Sequence, residues 1–423
     1  MDFKWRFPGM WRFPRDTENC CIYRVPNSIR SINPEAYTPQ LLLIGPLHHS
    51  LKSQAVKSLG DITNTKSTGY LNMEEHKKIY LANFSQRFRG DHNIIDDFRR
   101  MIIKDEEKIR ASYSESTDWI KSQEFVNMIL HDCVFIVELM VKTSKRTLHK
   151  TGDPVVDEPC LHSTVKGDLI LLENQLPYFI FVELFESIIP RIFANRTLRE
   201  LIIHYFRCQG KIRNETKFKH FTDLLRYVRV ETLEEIIPRK FKIIKQMYNV
   251  DKLHSGGIKF EAVKPEFPLY VRFEHGILKM PCLLVDDRAE TKLRNIMALE
   301  QCHFPYDAYV CNYIMFLDYL IDTEKDVELL VEKGMIKNYI GQHSSVAEMV
   351  NKLGLGIEHF GSHYADIADQ VNAHYSNRVN KSKVILKRVY FGNVWIGTAT
   401  IAAMLLLLFT LIQAVCSIIQ VTQ

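Results

Sequence analysis

No aspartate or glutamate follows Asp369, and residues 394–415 hold no ionisable side chain. That absence excludes an ordinary surface helix there, because a solvent-facing side needs charge. Nine cysteines, at 20, 21, 133, 160, 208, 282, 302, 311 and 416, include no CxxC pair. The pattern argues against a small disulfide framework and fits reduced thiols in the cytosol. The amino end, MDFKWRFPGMWRFPRDTENCC, has no uninterrupted apolar core, so no secretory leader is expected. The enzyme signatures GxxxxGKS/T, strand-linked GxGxxG and HExxH are also missing. A formal charge of +5 over 423 residues is small and partly local to one cluster, so no nucleic-acid partner is expected. These absences leave no catalytic, cofactor-binding or metal residue to assign. They favour an anchored interaction protein over a membrane-associated enzyme or a purely structural membrane protein.

What is present begins with the apolar run itself. Residues 394–415, VWIGTATIAAMLLLLFTLIQAV, reach roughly 33 Å as a helix, enough to cross a hydrocarbon layer of about 30 Å. Arg378, Lys381, Lys383, Lys387 and Arg388 precede it. By the positive-inside bias the large amino-terminal part is expected in the cytosol, with residues 416–423 as a short far-side tail. Insertion should then follow translation, as in a tail-anchored protein, into either the plasma membrane or an endomembrane. The basic segment, residues 378–393, is expected to lie against anionic headgroups. A lipid bilayer and an unidentified protein are the expected partners. Sequons at Asn83, Asn195 and Asn214 would face the cytosol and stay unglycosylated.

Apolar residues at 46% and charged residues at 25% are ordinary globular values and argue for a substantial core. The expected organisation is an arm at 1–19 and a mainly helical region at 20–377, with subdomains around 20–142 and 168–377. The arm carries a repeat, Trp5-Arg6-Phe7-Pro8 and Trp11-Arg12-Phe13-Pro14. Its rings and arginines suit an anionic membrane interface, although a mobile or core-packed arm is the favoured reading. Further on, residues 41–44 read as a short strand ended by Gly45-Pro46. Asn72 reads as the cap of a helix from Met73, and residues 96–113 as an amphipathic helix. Residues 122–140 are apolar around most of a helical circumference and predict a central helix. Residues 141–167 read as a connection, followed by a helix capped by Asp168 and broken at Pro177, with a second helix through Ser187. Asn174 and Gln175 are expected to satisfy backbone groups at that break. Helices are expected over 196–207, 218–228, 233–247, 290–303, 308–320, 327–332, 345–353 and from 366, with short strands over 258–285. The fold class is therefore mainly α-helical with a small β-hairpin or sheet and a single carboxyl-terminal transmembrane helix.

Four clusters tempt a chemical reading. His48-His49 lacks a ligand set, so local hydrogen bonding is expected rather than metal. Consecutive helical residues diverge by about 100 degrees, so His131-Asp132-Cys133 does not make a Cys–His pair. Gly361 weakens the helix that would align His359 and His363 with Asp366 on one face, and Asp286-Asp287 lacks any defined substrate geometry.

The ordered blocks YRVPNSIRSINPEAYTPQLLLIGPLHH (23–49), MILHDCVFIVEL (128–139), DLILLENQLPYFIFVELF (168–185), FTDLL (221–225), GGIKF (256–260), NIMALEQC (295–302) and YFGNVWIG before the span resemble the plant DUF247 family, also called UPF0481. Pro46, Asp132, Phe135, Asp168, Glu173, Asn174, Gln175 and Pro177 are the structural motif positions that this resemblance marks. Cys133 stands where the pattern commonly has glycine and Val134 where it has cysteine, so any role for a thiol there is in doubt and local packing should differ. The resemblance implies a predominantly helical cytosolic region with a carboxyl-terminal anchor, and no established catalytic residue or cofactor. Some members are associated with pollen–stigma self-incompatibility, which makes recognition or signalling the family analogy.

Overall fold

One helix, Ser122–Ser144, fills the middle of the first lobe, and its length follows from an apolar surface that no single face accommodates. In this computed structural model, residues 7–58, 64–88, 94–145, 149–208, 218–230, 242–263, 269–377 and 394–422 are described. Phe125, Ile129, Leu130, Val134, Phe135 and Val137 on that helix are completely buried. Against it lies the helix Thr65–Arg87, where Tyr80 meets Phe135 with ring centroids 4.8 Å apart. Phe84 then contacts Phe98 at 5.8 Å, and Phe98 contacts Phe185 edge-on at 5.1 Å. Each buried ring stabilises the fold by about 1.5–3 kcal/mol through area removed from water.

Several boundaries differ from the sequence reading. The helix expected at Met73 starts at Thr65, because Asn64 rather than Asn72 caps it, accepting from Ser67 N at 3.1 Å. Residues 96–113 divide into the helices Ile94–Lys104 and Glu106–Ala111. The expected connection contains the helices Pro154–Asp157 and Pro159–Asp168, since proline suits the first helical position. Asp168 consequently closes a helix instead of opening one, and Leu169–Leu172 form turns. Past Pro177 the helix Tyr178–Phe185 follows, two residues shorter than expected. Of the helix expected over 233–247, residues 231–241 lie outside the described residues and 242–247 are not helical.

The second lobe is built from the helices Ala289–His303, Tyr309–Leu320, Glu324–Glu332, His343–Leu353 and Ala365–Ser376. Beside them β1 (Lys259–Val263) runs parallel to β3 (Ile277–Pro281), and β2 (Arg272–Glu274) pairs antiparallel with β3. The two-residue turn between β2 and β3, His275-Gly276, has φ of 50° and 76°. Positive φ at both positions is what a tight primed hairpin turn demands. A separate pair joins β4 (Leu283–Val285) to β5 (Ile336–Asn338) in parallel.

The apolar interior divides near residue 225. One cluster runs from Cys21 to Leu224 and another from Val230 to Val371, so residues 168–224 pack with the first lobe. A third, small cluster of Tyr23, Val25, Tyr37, Leu172, Ala298 and Leu299 lies between them. Polar groups reinforce this joint: Asn295 accepts from Leu172 N at 2.9 Å and donates to Ala36 O at 2.8 Å. Arg226 pairs with the fully buried Glu300 at 3.0 Å, and Glu300 also accepts from Val310 N and Cys311 N.

Apart from both lobes, Val394–Thr422 is a continuous helix. Its residues Thr398–Gln420 have a mean hydropathy of 2.5 and bury nothing against the rest of the protein. It is long and apolar enough to cross a membrane.

Candidate functional site: a buried polar clasp

The segment over residues 39–45 runs through the interior without joining a sheet, so the expected strand at 41–44 is absent. Its backbone groups are satisfied by side chains instead, as buried amides must be. Asp168 accepts from Gln40 N at 2.8 Å and from Leu41 N and Leu42 N at 2.7 Å. Asn174 accepts from Ile44 N at 2.6 Å and donates to Leu42 O at 2.9 Å. Gly45 N donates to Asp132 at 2.8 Å, and Lys77 Nζ donates to Leu43 O at 2.5 Å. Lys77, Asp132 and Asp168 lie on helices of the first lobe, and Asn174 on the loop that follows Asp168.

Gly45 itself is required. Its φ is +67°, and a Cβ there would stand 2.8 Å from Gln175 O. Pro46 follows as the buried first residue of a single helical turn, Pro46–His48. Gln175 donates to Leu169 O at 2.7 Å and Leu171 O at 2.8 Å, and accepts from Phe221 N at 2.9 Å. Pro177, extended at φ −65° and ψ 135°, ends this loop as the residue before Tyr178–Phe185. Phe135 is fully buried and packs against Tyr80.

Glu173 forms the other half. It accepts from Val25 N at 2.7 Å, pairs with Arg24 at 2.9 Å and also pairs with Arg30. Arg24 reaches Glu115 at 2.8 Å and Leu47 O at 3.0 Å. Sequence reasoning passed over Arg24, Arg30, Lys77 and Glu115. For Arg24, within the apolar stretch 20–25, the available signal was a charge whose burial needs a partner elsewhere in the chain, whereas Lys77 and Glu115 lie among polar residues and gave none.

The electrostatics describe a scaffold rather than reactive groups. Burial raises Asp168 to about 6 against the three amides that favour its carboxylate. Asp132 is raised by burial, opposed by Lys77 at 2.7 Å. Burial would lower Lys77, but Asp132 and Glu74 prevail and leave it raised. Burial, with Arg24 and Arg30 adding to it, depresses His48 to about 3, so its ring is neutral. His49 bonds to Glu124 at 2.8 Å, a partner 75 residues away rather than a local one. Cys133 is pushed well above the ordinary thiol range by burial, so it supplies no thiolate beside His131.

Other tempting clusters are likewise dispersed. His359 precedes the last helix of the body in irregular chain, while His363 stacks on Tyr309 at 4.3 Å. Asp286 pairs with Lys292 at 3.1 Å and accepts from Arg288 N at the start of a helix. Among the described residues no three His, Cys, Asp or Glu groups are placed to hold a metal. A cleft next to the clasp, lined by Pro8, Gly9, Arg24, Pro46, Leu47 and Trp119, has room for water but not for a metabolite. The basic cluster Arg378, Lys381, Lys383, Lys387 and Arg388 lies outside the described residues.

The clasp joins the sequence blocks at 23–49, 128–139 and 168–185, and a family profile runs through all three. The profile described as a plant protein of unknown function, DUF247, matches residues 22–409. The chain belongs to the DUF247 family. The UPF0481 protein At3g47200 of Arabidopsis thaliana is 26% identical over 435 residues, covering 95% of this chain and 87% of the relative. The putative UPF0481 protein At3g02645 of the same plant is 21% identical over 496 residues, covering 93% and 89%. No solved structure matches. Within this DUF247 chain, Cys133 at the usual glycine position is fully buried in the first core.

Proposed function

We propose that this DUF247 protein is a single-pass membrane protein whose cytosolic body recognises another protein. The observation that carries the reading is the helix over Thr398–Gln420, 23 uncharged and mainly apolar residues that the body leaves entirely uncovered. Exposing such a helix to water is strongly unfavourable, and a bilayer removes that cost. The body's polar groups support recognition over catalysis: its buried carboxylates are engaged by backbone amides and cations, and its buried thiols are held protonated. Tethering confines the search for a partner to a surface, and the two lobes, joined by a buried ion pair and buried hydrogen bonds, offer a preorganised face. The basic residues before the helix favour placing the body on the cytosolic side.

Proximity labelling in plant cells tests the role with the full chain and with Leu407→Lys/Leu411→Lys. A reproducible set of neighbouring proteins that disappears when the helix is charged is the expected result. No reproducible neighbours for either chain would overturn it.

A further inference from the structure

The WRFP repeat is the conspicuous motif that the clasp and the anchor leave unused. Its second copy is fastened to the body on both sides. Ser116 N donates to Met10 O at 2.8 Å and Arg12 N to Ser114 O at 3.0 Å, an antiparallel bridge centred on Trp11 and Glu115. Beyond Phe13-Pro14, Cys21 N and Ile22 N both donate to Ser112 O at 2.9 Å. Extended backbone sends alternate side chains to opposite faces. Arg12 turns to the body, 3.7 Å from Asp118, while Trp11 and Phe13 remain 71% and 80% exposed. Phe7 is 68% exposed. Three large rings within seven residues are displayed by a backbone already committed to the body. Residues 10–12 are thus held by backbone bonds to the body, while Phe7, Trp11 and Phe13 stay exposed.

We propose that this docked arm is a second membrane contact, in which Phe7, Trp11 and Phe13 enter the headgroup boundary of an anionic bilayer. The inference rests on the anchoring proposed above. Charge complementarity supports this occupant: over the arm Lys4, Arg6, Arg12 and Arg15 outnumber Asp2, Asp16 and Glu18, and all four cations fall among the rings. Aromatic rings interleaved with cations are the chemistry of the membrane–water boundary. Reach supports it too. Asn377 and Val394 are separated by residues 378–393, which in any conformation span at most roughly 55 Å, comparable to the diameter of a body this size. The contact lies outside the matched family region, which starts at residue 22.

The test reconstitutes the full chain into phosphatidylserine-containing vesicles with brominated acyl chains. Two single-tryptophan versions are compared, one keeping Trp11 and one keeping Trp395 in the first turn of the apolar helix. Quenching of both by at least about twofold is expected, and Phe7→Ser/Phe13→Ser should diminish it at Trp11 alone. Quenching of Trp395 without Trp11 overturns the arm contact while leaving the anchor standing. Quenching of neither overturns both. Trp11 that is shielded from aqueous quenchers yet untouched by brominated lipid overturns the proposal in favour of a protein cover.

Discussion

Two long helices, Ser122–Ser144 and Val394–Thr422, share a composition dominated by aliphatic residues and occupy opposite environments. The first also carries Asp132 and Glu138, and each is answered: Asp132 by Lys77 and Gly45 N, Glu138 by Arg87. Its apolar surface is covered by aromatic rings from neighbouring helices. The second has no charge to answer and no protein over Thr398–Gln420. Apolar content therefore does not distinguish core from membrane. Paired charge along the helix does, because a buried charge implies a protein partner, whereas hydrocarbon supplies none.

The comparison breaks most visibly when one cation is placed in each helix. Val134→Lys buries an unpaired ammonium in the first core and should abolish folding, read as loss of a cooperative thermal transition. Leu407→Lys should leave the transition of the detergent-solubilised chain unchanged. A folded Val134→Lys protein, or an unfolded Leu407→Lys protein, would reverse the assignment of the two environments.

Removing one member of an answered pair comes next. Asp132→Ala leaves Lys77 buried and less compensated and should cost about 3–5 kcal/mol. Adding Lys77→Met should recover much of that loss, since an apolar pair of similar volume is often neutral. Denaturant unfolding of the two variants checks the difference. No recovery would mean that Lys77 acts chiefly through Leu43 O.

Gly45→Ala probes the clasp at its tightest point and should cost about 2 kcal/mol, because alanine is strained at this φ and meets Gln175 O. An unchanged unfolding midpoint would show that the loop can yield.

The smallest effect at neutral pH, growing as the pH falls, concerns a histidine. His48 is depressed to about 3 in the fold, so the unfolded chain, titrating near 6.5, binds protons first. Stability linked to this ring is present above about pH 6.5 and falls as pH drops toward 3. His48→Leu should remove up to about 1.4 kcal/mol per pH unit of that decline. An unaltered acid slope in a pH series of melting curves would assign the decline to other groups.

The central helix, the short strands of residues 259–285 and the helices of the second lobe were legible as periodicity, since each presents an apolar pattern to a local core. Asn174 and Gln175 were legible as backbone partners because Pro177 announced a chain break. Their long-range partners were not. Asp168 looks the same in sequence as a helix cap whether its carboxylate serves its own amides or those of Gln40, Leu41 and Leu42. The strand reading of residues 41–44 failed for the same reason: extended, apolar chain needs hydrogen-bond partners, and sequence does not say whether backbone or side chain supplies them. Asn64 was missed because Lys66, Ser67 and Thr68 look like a loop until the cap is seen.

Alkaline carbonate extraction of membranes from cells expressing the full chain tests the central claim most directly. Wild-type protein should stay in the membrane pellet, and Leu407→Lys/Leu411→Lys should move to the supernatant as folded protein. Wild-type protein released in full, or the charged variant retained, would contradict an anchor in Val394–Thr422.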